Sequence, residues 1–292
     1  MAETAESITQ GIDLTGKDVL VTGVNSGIGT ETARVMAMRG AHVLGLARTQ
    51  DSAAAACAAL PSRGTGYACE LADPDSIRAC AVQIRQAHPD GLDVLIANAG
   101  IMALPKLEQV NGIEKQFAVN HLGHFLLVQE LMPLLGQHKP CRVVVVSSAA
   151  HMQAPKSGIE FDNLSGEQGY SPWRAYGQSK LANVLFANEL ARRLPAGSTA
   201  NSLHPGVIKT NLGRNMQGIG PLLLGLVMFP FMRSVEQGAA TSCYVASHPE
   251  LAQSSGEYYA NTRLAKMSAL GRDQALAERL WQVSESMTAA AA

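Results

Sequence analysis

Tyr176 and Lys180 lie four residues apart in YGQSK, a segment that opens the apolar run LANVLFANEL. In a helix, this spacing places two side chains on one face, one turn apart. A free tyrosine has a pKa near 10 and exchanges protons poorly at neutral pH, and a nearby ammonium lowers that pKa. The pair could therefore act in acid–base catalysis. An ordinary surface pair has the same spacing, so the rest of the chain must decide.

A glycine-rich loop, VTGVNSGIG, joins the first predicted strand to the first predicted helix. Glycine lets the backbone turn tightly and approach a ligand closely. The N-terminus of the following helix offers free N–H groups and a positive dipole end, which suit a pyrophosphate. A tight turn without a ligand is the alternative. We predict dinucleotide contacts at Gly23, Asn25, Ser26, Gly27, Ile28 and Gly29.

The end of the second predicted strand bears on which dinucleotide binds. A carboxylate at this position would bind a ribose 2′-hydroxyl and repel a 2′-phosphate. Here the strand ends in GLARTQ, with Ala47 at the expected acidic position and Arg48 after it. The planar guanidinium of Arg48 matches a phosphate. We therefore predict NADP(H) in preference to NAD(H), the alternative being that Arg48 is a solvated loop charge.

Short apolar runs alternate with longer amphipathic runs along the whole chain. Such a pattern predicts a parallel sheet covered by helices on both faces. The predicted fold class is α/β, with a doubly wound, mainly parallel, seven-stranded Rossmann-type sheet in a three-layer α/β/α arrangement. The predicted strands are KDVLVTG, AHVLGLA, GYACEL, LDVLIANAG, CRVVVVSSA, TANSLHPG and GEYYA. The predicted helices cover 27–39, 51–60, a segment from Asp73, 111–136, 173–194 and 235–247.

We predict one domain over residues 1–292, with flexible tails at 1–14 and 286–292. The formal net charge is −1 and the aromatic content is 5%, which argues against a nucleic-acid partner. The five cysteines form no C-x-x-C pair, so neither a disulfide framework nor a zinc site is expected. The polar N-terminus lacks a signal peptide, and we predict a cytoplasmic protein without a transmembrane segment.

Six motifs occur in an order that resembles the short-chain dehydrogenase/reductase family. They are TGVNSGIG, ANAG at 97–100, VNHLGHFLL at 119–127, VSSAAH at 146–151, YGQSK, and HPGVIKT at 204–210. The resemblance covers about residues 14–285. Within the family, NHLGHFLL, SKLANVLF and RLWQVSE look most like the branch of retinol dehydrogenases and WW-domain oxidoreductases.

The resemblance implies four catalytic residues. Tyr176 would be the acid–base, Lys180 its partner, and Ser148 the hydroxyl that orients the substrate. Asn120 would be the fourth member, relaying protons through water to Lys180. Ser147 competes with Ser148, because side chains alternate across a strand and only one of the two should face the cleft.

The resemblance also extends the cofactor site. Asn98, Ala99 and Gly100 would support the adenosine side of the pocket. Glu70-Leu71 stands where the family usually has an Asp-Leu pair beside the adenine. The nicotinamide and pyrophosphate would be bordered by Pro205, Gly206, Val207 and Thr210 and approached by Tyr176 and Lys180.

Histidines near these motifs are expected to pack or cap helices. His121, His124 and His151 have no carboxylate or cysteine at ligand spacing, and His204 precedes the Pro-Gly pair, so no metal is predicted. Tyr170 and Trp173 could line the substrate pocket or pack in the core.

These residues favour an NADP(H)-dependent oxidoreductase acting on an apolar aldehyde, ketone or secondary alcohol. Residues 215–233, rich in Leu and Met, could form a lid, an oligomer contact or a peripheral membrane contact. A homodimer or homotetramer is plausible. Two alternatives remain open: an enzyme resembling sugar-nucleotide epimerases and dehydratases, and a dinucleotide-binding regulator without turnover.

Overall fold

A computed structural model describes residues 3–208 and 233–290 of the chain. Thr210 and most of the apolar segment 215–233 therefore lie outside the described residues. The described strands, in chain order, are β1 Asp18–Thr22, β2 His42–Ala47, β3 Gly64–Ala68, β4 Val94–Ala97, β5 Gln109–Val110, β6 Ile113–Glu114, β7 Arg142–Val146, β8 Thr199–His204, β9 Tyr258–Ala260 and β10 Arg263–Leu264.

The main sheet has the strand order β10-β9-β8-β7-β4-β1-β2-β3, and every pair except β9 with β10 is parallel. This order is that of a doubly wound Rossmann-type sheet and confirms the predicted fold class. The predicted count of seven strands is wrong, because the sheet has eight. The additional strand, β10, is two residues long and returns after Asn261 and Thr262, both at positive φ as in a type I′ hairpin.

Helices cover both faces of this sheet. Their described bounds are α1 Ala5–Ile8, α2 Gly27–Met38, α3 Gln50–Ala58, α4 Pro74–Ala87, α5 Lys115–Phe117, α6 Gly123–Leu131, α7 Pro172–Arg193, α8 Val235–Ser247 and α9 Gln274–Ala290. Side chains alternate along each strand, so Leu20 packs toward α4, α6 and α7 while Val19 and Val21 pack toward α2 and α8. Two buried clusters on opposite faces give the three-layer arrangement.

The predicted helix over 111–136 is wrong at its start. Residues 109–114 form the hairpin of β5 and β6, whose turn places Asn111 and Gly112 at positive φ. Asn-Gly is a strong signal for this turn, and the alternating strand pattern around it was too short to reveal it. Helical structure begins at Lys115 and includes a π-helical turn over Ala118–Leu122 before α6.

Helices lie within both segments that we expected to be flexible tails. Helix α1 has a capping box between Thr4 and Ser7, and Ala5 is fully buried. The guanidinium of Arg39 donates to the carbonyl of Glu6 at 2.7 Å, which ties this helix to the end of α2. At the other end, α9 continues to Ala290, and Met287 packs against an apolar cluster.

Helix α7, which begins at Pro172 and contains Tyr176, is the longest described helix, with 22 residues. None of the helices within residues 3–208 and 233–290 combines the length and apolarity that a membrane span requires.

Candidate active site

Helix α7 buries Tyr176 and Lys180 against the carboxyl end of β7. Both side chains are nearly inaccessible, at 6% and 4% exposure. The Lys180 ammonium lies 5.8 Å from the centre of the Tyr176 ring and donates to the carbonyl of Val146 at 3.1 Å. The predicted spacing therefore places the two groups on one face of a helix, inside the protein rather than on its surface.

Burial perturbs both groups. It raises the pKa of Tyr176 to about 12, against the opposite effect of a hydrogen bond with Ser148. Burial also lowers the pKa of Lys180 to about 8, so this side chain is still cationic at neutral pH. We expected Lys180 to lower the pKa of Tyr176, but in the protein alone desolvation of the phenol dominates. Additional positive charge near the phenol would be needed to bring its pKa toward neutrality.

Ser147 and Ser148 follow β7 and face different surroundings. Ser147 is 2% exposed and donates its hydroxyl proton to the carbonyl of Lys180 at 2.7 Å. Ser148 is partly exposed, accepts from the Ala150 N–H at 3.2 Å and hydrogen-bonds Tyr176. Ser148 is thus the serine placed to meet a ligand beside Tyr176, and Ser147 anchors α7 to the strand.

Asn120 lies in the π-helical turn and is completely buried. Its side-chain carbonyl accepts from the Ile101 N–H at 2.8 Å, and its amide donates to the Ile101 carbonyl and to Ser179 Oγ, each at 2.9 Å. Ser179 in turn donates to the Tyr176 carbonyl at 2.8 Å. Asn120 therefore joins the loop after β4 to the helix that carries Tyr176. π-Turns are frequent at functional sites.

His124 connects the π-helical turn to Thr22, the residue before the glycine-rich loop. Its Nδ1 lies 3.0 Å from the Asn120 backbone carbonyl and its Nε2 lies 2.9 Å from Thr22 Oγ1. Thr22 Oγ1 already accepts from the N–H groups of Asn98 and Ala99, each at 2.9 Å, so its own proton must go to His124 Nε2. Nδ1 must then carry the proton that Asn120 accepts. Burial lowers the pKa of His124 to about 4, in agreement with a neutral ring.

The glycine-rich loop forms a cradle at the start of α2. Gly23 and Gly27 have φ of 74° and 57°. A Cβ at Gly29 would lie 2.1 Å from the Gly23 carbonyl oxygen, so only glycine fits there. Ser26, the N-cap of α2, makes no side-chain capping bond, and Asn25 and Ser26 are exposed. A helix N-terminus with uncapped N–H groups beside a glycine cradle fits a dinucleotide phosphate.

Asn98, Ala99 and Gly100 lie directly beside this cradle. The Asn98 amide donates to the Thr22 carbonyl at 2.8 Å and lies close to Gly29. A Cβ at Gly100 would be 3.0 Å from Asn120 Oδ1 and 3.4 Å from the Lys180 ammonium. The segment therefore runs from the glycine cradle to Tyr176 and Lys180.

Residues at the ends of β2 and β3 form the far side of the predicted cofactor site. Ala47 is buried at the end of β2 and Arg48 is exposed after it. The Glu70 carboxylate accepts from the Ala72 N–H at 3.0 Å, which bends it back over its own turn. Leu71 is buried, and its carbonyl lies where a Cβ at Gly123 would be.

The segment after β8 forms the opposite side of the predicted cofactor site. Gly206, at a φ of 95°, donates its N–H to His204 Nδ1 at 3.0 Å, so His204 is a structural residue of this turn. Val207 follows it with 45% of its surface exposed. Pro205, Gly206 and Val207 thus follow β8 at the carboxyl edge of the sheet.

Other candidate side chains have structural contacts. His121 packs among Phe117, Phe125 and Phe186, and His151 bridges the Ser148 carbonyl and the Ser268 N–H. The Tyr170 hydroxyl donates to the Leu104 carbonyl at 2.6 Å. Trp173 is 41% exposed, and its ring meets that of Tyr176 edge-on with centres 6.1 Å apart.

Three contributors were missed in the sequence. Thr22, Ser179 and His124 each have at least one partner distant in the chain. We expected His124 merely to pack or cap a helix. The helical spacing of His124 four residues after Asn120 was the one available signal.

The assembled groups can orient a carbonyl or hydroxyl and exchange a proton with it. The phenol of Tyr176 and the hydroxyl of Ser148 are adjacent, and Lys180 supplies a buried cation. The glycine cradle lies farther along the same carboxyl edge of the sheet. Ligands bind at the carboxyl ends of strands in such sheets.

Known proteins are similar to this chain over most of its length. The family described as short chain dehydrogenase matches residues 17–218. Human retinol dehydrogenase 14 is 41% identical over 93% of this chain and 86% of its own length. The crystal structure of an uncharacterised protein from Mycobacterium paratuberculosis has a TM-score of 0.79 and 32% identity, covering 99% of this chain and 98% of that one. A short chain dehydrogenase from Burkholderia cenocepacia, solved in complex with NADP, has a TM-score of 0.66 and 27% identity, covering 84% and 96%.

Proposed function

The chain belongs to the short-chain dehydrogenase/reductase family, and from that premise we propose that it transfers a hydride between NADP(H) and an apolar aldehyde, ketone or alcohol, with Tyr176 as the acid–base. Members of this family bind a nicotinamide dinucleotide and act on CH–OH or carbonyl groups. The choice of NADP(H), the apolar substrate and the residue roles are our proposal.

The observation that carries the proposal is the environment of Lys180. Its ammonium is 4% exposed, donates to a backbone carbonyl, and forms no ion pair with a carboxylate in the described part of the chain. Burying an uncompensated cation is costly, and proteins retain such groups where they serve chemistry. The phenol of Tyr176 is the titratable group beside it.

A bound nicotinamide dinucleotide supplies or accepts the hydride. In the reductive direction, Ser148 donates a hydrogen bond to the substrate carbonyl, and the Tyr176 hydroxyl passes its proton to the same oxygen. The positive field of Lys180 stabilises the resulting phenolate. Asn120 and Ser179 fix the backbone of α7, so the phenol stays in place during proton transfer.

Arg48 supports NADP(H) as the cofactor. Ala47 leaves no carboxylate at the end of β2, and the exposed Arg48 guanidinium is available to a 2′-phosphate at this edge of the sheet. The relative from Burkholderia cenocepacia is described in complex with NADP, which favours the same choice.

Exposed apolar side chains support an apolar substrate. Met152, Trp173 and Val207 are 59%, 41% and 45% exposed, and each lies on a segment that adjoins Ser148, Tyr176 or the end of β8. Trp173 also lines an open cavity of about 510 Å³, together with residues 153–157 and Arg174. Isolated apolar groups are common on surfaces, but exposed apolar side chains on segments that adjoin the proposed catalytic residues favour a binding surface. Similarity to a retinol dehydrogenase agrees with this chemistry.

The proposal is tested with retinal, a long-chain aldehyde, an aryl ketone and short polar carbonyls, each with NADPH and with NADH. Nicotinamide absorbance measures turnover. We expect kcat/KM to be at least about tenfold higher for the apolar members, since each buried methylene contributes about 0.8 kcal/mol. Oxidation of the matching alcohols with NADP⁺ checks the reverse direction.

Arg48→Ala separates the cofactor assignment from the substrate assignment. We expect the Kd of NADPH to rise about tenfold, with that of NADH nearly unchanged, because only NADPH carries the 2′-phosphate. Lys106→Ala, which changes a lysine away from the cradle, is the charge-matched control. Equal affinity of Arg48→Ala and the unsubstituted protein for NADPH would disprove the role of Arg48. Tight NADPH binding without turnover of any substrate would favour the non-catalytic alternative.

A further inference from the structure

Two histidines and an aspartate converge at the edge of the sheet opposite the candidate active site. Asp18 begins β1, His42 begins β2, and His88 caps the end of α4. Asp18 and Thr22 lie at the two ends of β1, and Thr22 is at the carboxyl edge of the sheet. Four residues of extended strand correspond to a distance of about 13 Å. This cluster is therefore outside the catalytic groups described above.

The three side chains present metal-ligating atoms at short range. Nδ1 of His42 lies 2.9 Å from one Asp18 carboxylate oxygen, and Nδ1 of His88 lies 3.1 Å from the other. One ligand atom from each residue can be chosen so that all three lie within 4.8 Å of one another. Bonds of about 2.0–2.1 Å in a tetrahedral zinc site place ligand atoms about 3.3 Å apart. Small side-chain rotations would reach that geometry.

The second nitrogen of each ring already has a hydroxyl partner. Nε2 of His42 lies 2.9 Å from Thr65 Oγ1, and Nε2 of His88 lies 3.4 Å from the Tyr67 hydroxyl. Both partners belong to β3, so one neighbouring strand orients both rings with Nδ1 toward Asp18. Metal-binding histidines are typically held this way, through a hydrogen bond at the nitrogen that does not bind the ion.

Charge also distinguishes this cluster from an ordinary ion pair. The two imidazole rings are 5.5 Å apart, so two protonated rings would repel each other. Nearby Lys17 and Lys139 are paired with Asp93. Exposed Arg63 is the cation that opposes binding, since its charge also acts on His42.

We propose that Asp18, His42 and His88 bind a divalent transition-metal ion of the zinc class. Two imidazoles and one carboxylate suit zinc, and a water molecule would complete the coordination. The side chains of Asp18, His42 and His88 are 25%, 11% and 9% exposed, so the carboxylate side is the route of entry. The ion would join β1, β2 and α4 and stabilise the fold, without entering the hydride transfer.

No motif in the sequence indicated this site, because His42 and His88 lie 24 and 70 residues from Asp18. The absence of ligand spacing around the other histidines was the reason for predicting no metal. Here the ligands come from three elements that only the sheet brings together.

The test begins with the unsubstituted protein after chelator treatment. NMR of the histidine ring nitrogens follows a titration with Zn²⁺, and we expect two of the eight histidines to shift at one equivalent. Co²⁺ should give the visible absorption of a tetrahedral site and be displaced by Zn²⁺. The melting temperature should rise with Zn²⁺, because the ion binds the folded state.

Substitutions then assign the ligands. His42→Ala and His88→Ala should each weaken Zn²⁺ binding about tenfold or more, and Arg63→Ala should strengthen it about twofold. His138→Ala, at an exposed histidine, is the matched control and should bind like the unsubstituted protein. Zinc shifts spread over other histidines, or unchanged Zn²⁺ affinity in the double variant of His42 and His88, would overturn the proposal. The NMR titration uses the unsubstituted protein, so it tests the proposed site even if a variant does not fold.

Discussion

The two edges of the central sheet use polar side chains in different ways. At the amino edge, side chains satisfy one another: Asp93 forms ion pairs with Lys17 and Lys139, and the Asp18 carboxylate lies within hydrogen-bond distance of His42 and His88. At the carboxyl edge, polar side chains donate hydrogen bonds to backbone carbonyls instead. Lys180 donates to the Val146 carbonyl, and Asn98 donates to the Thr22 carbonyl.

This difference separates the edge of the sheet that contributes to stability from the edge that carries the proposed chemistry. Backbone carbonyls at the carboxyl edge fix α7 and the loop after β4 without neutralising Lys180. The buried cation and the phenol beside it therefore remain available to a ligand. At the amino edge, Asp93 is already paired with two lysines, so changes there should alter stability and the proposed metal binding but not turnover.

The largest expected effect is at Tyr176. Tyr176→Phe keeps the ring packing and removes the proton donor, so kcat for carbonyl reduction should fall about a thousandfold. Tyr170→Phe is the matched control, because its hydroxyl bonds the Leu104 carbonyl, and it should retain most activity. Steady-state kinetics and circular dichroism measure turnover and folding. Residual activity of Tyr176→Phe close to that of the Tyr170 variant would contradict the mechanism.

Gly29→Ala tests the phosphate cradle. A Cβ there would overlap the Gly23 carbonyl, and the resulting shift of the loop should weaken NADPH binding about a hundredfold. Gly11→Ala is the control: it is strained at a φ of 80°, has open space around it, and should leave NADPH affinity unchanged. Titration of each variant with NADPH, followed by nicotinamide fluorescence, measures the two affinities. Equal affinities for the two variants would mean that the cradle is only a turn.

The histidines of the helix after β6 provide the next comparison. His124→Gln breaks the link between Asn120 and Thr22, and we expect kcat to fall about tenfold with a smaller change in the KM for NADPH. His121→Phe should keep near-normal turnover, because His121 lies in an aromatic cluster away from Asn120. A purely structural role for His124 would lower the melting temperature and leave kcat unchanged.

Asp93→Asn changes the amino edge alone. It removes the charge that Lys17 and Lys139 share, so the free energy of unfolding should fall by about 1–2 kcal/mol. Turnover at neutral pH should stay the same. Urea unfolding, read by circular dichroism, and steady-state kinetics measure the two quantities. A loss of turnover without a loss of stability would break the distinction between the two edges.

The smallest expected effect is the acid sensitivity caused by buried neutral histidines. Burial lowers the pKa of His121 to about 3 and of His124 to about 4. An unfolded histidine titrates near 6.5. Between pH 6.5 and 4 the unfolded chain therefore binds more protons, and the free energy of unfolding falls as the pH drops. Urea unfolding across this window should show a shallower fall in His124→Gln. An identical slope would mean that His124 is not buried as a neutral ring.

Much of the fold was predictable because apolar strands and amphipathic helices have periods that can be read locally. The core strands and the helix that carries Tyr176 were predicted for this reason. The hairpin of β5 and β6 and strand β10 were missed, because strands of two residues are too short to show a period. The ends of the chain were assigned as tails because burial of single residues such as Ala5 depends on distant partners.

The sequence by itself determined the fold class, the family and the identity of the groups at the carboxyl edge, since motif spacing along strands, loops and one helix encodes all three. Only the tertiary structure decided that Lys180 is buried with no carboxylate partner among the described residues, that Ser148 rather than Ser147 faces Tyr176, and that His124 bridges Asn120 and Thr22. It also brought Asp18, His42 and His88 together. The physical reason is the same in each case: burial, pKa and hydrogen-bond partners arise between segments that are distant in the chain.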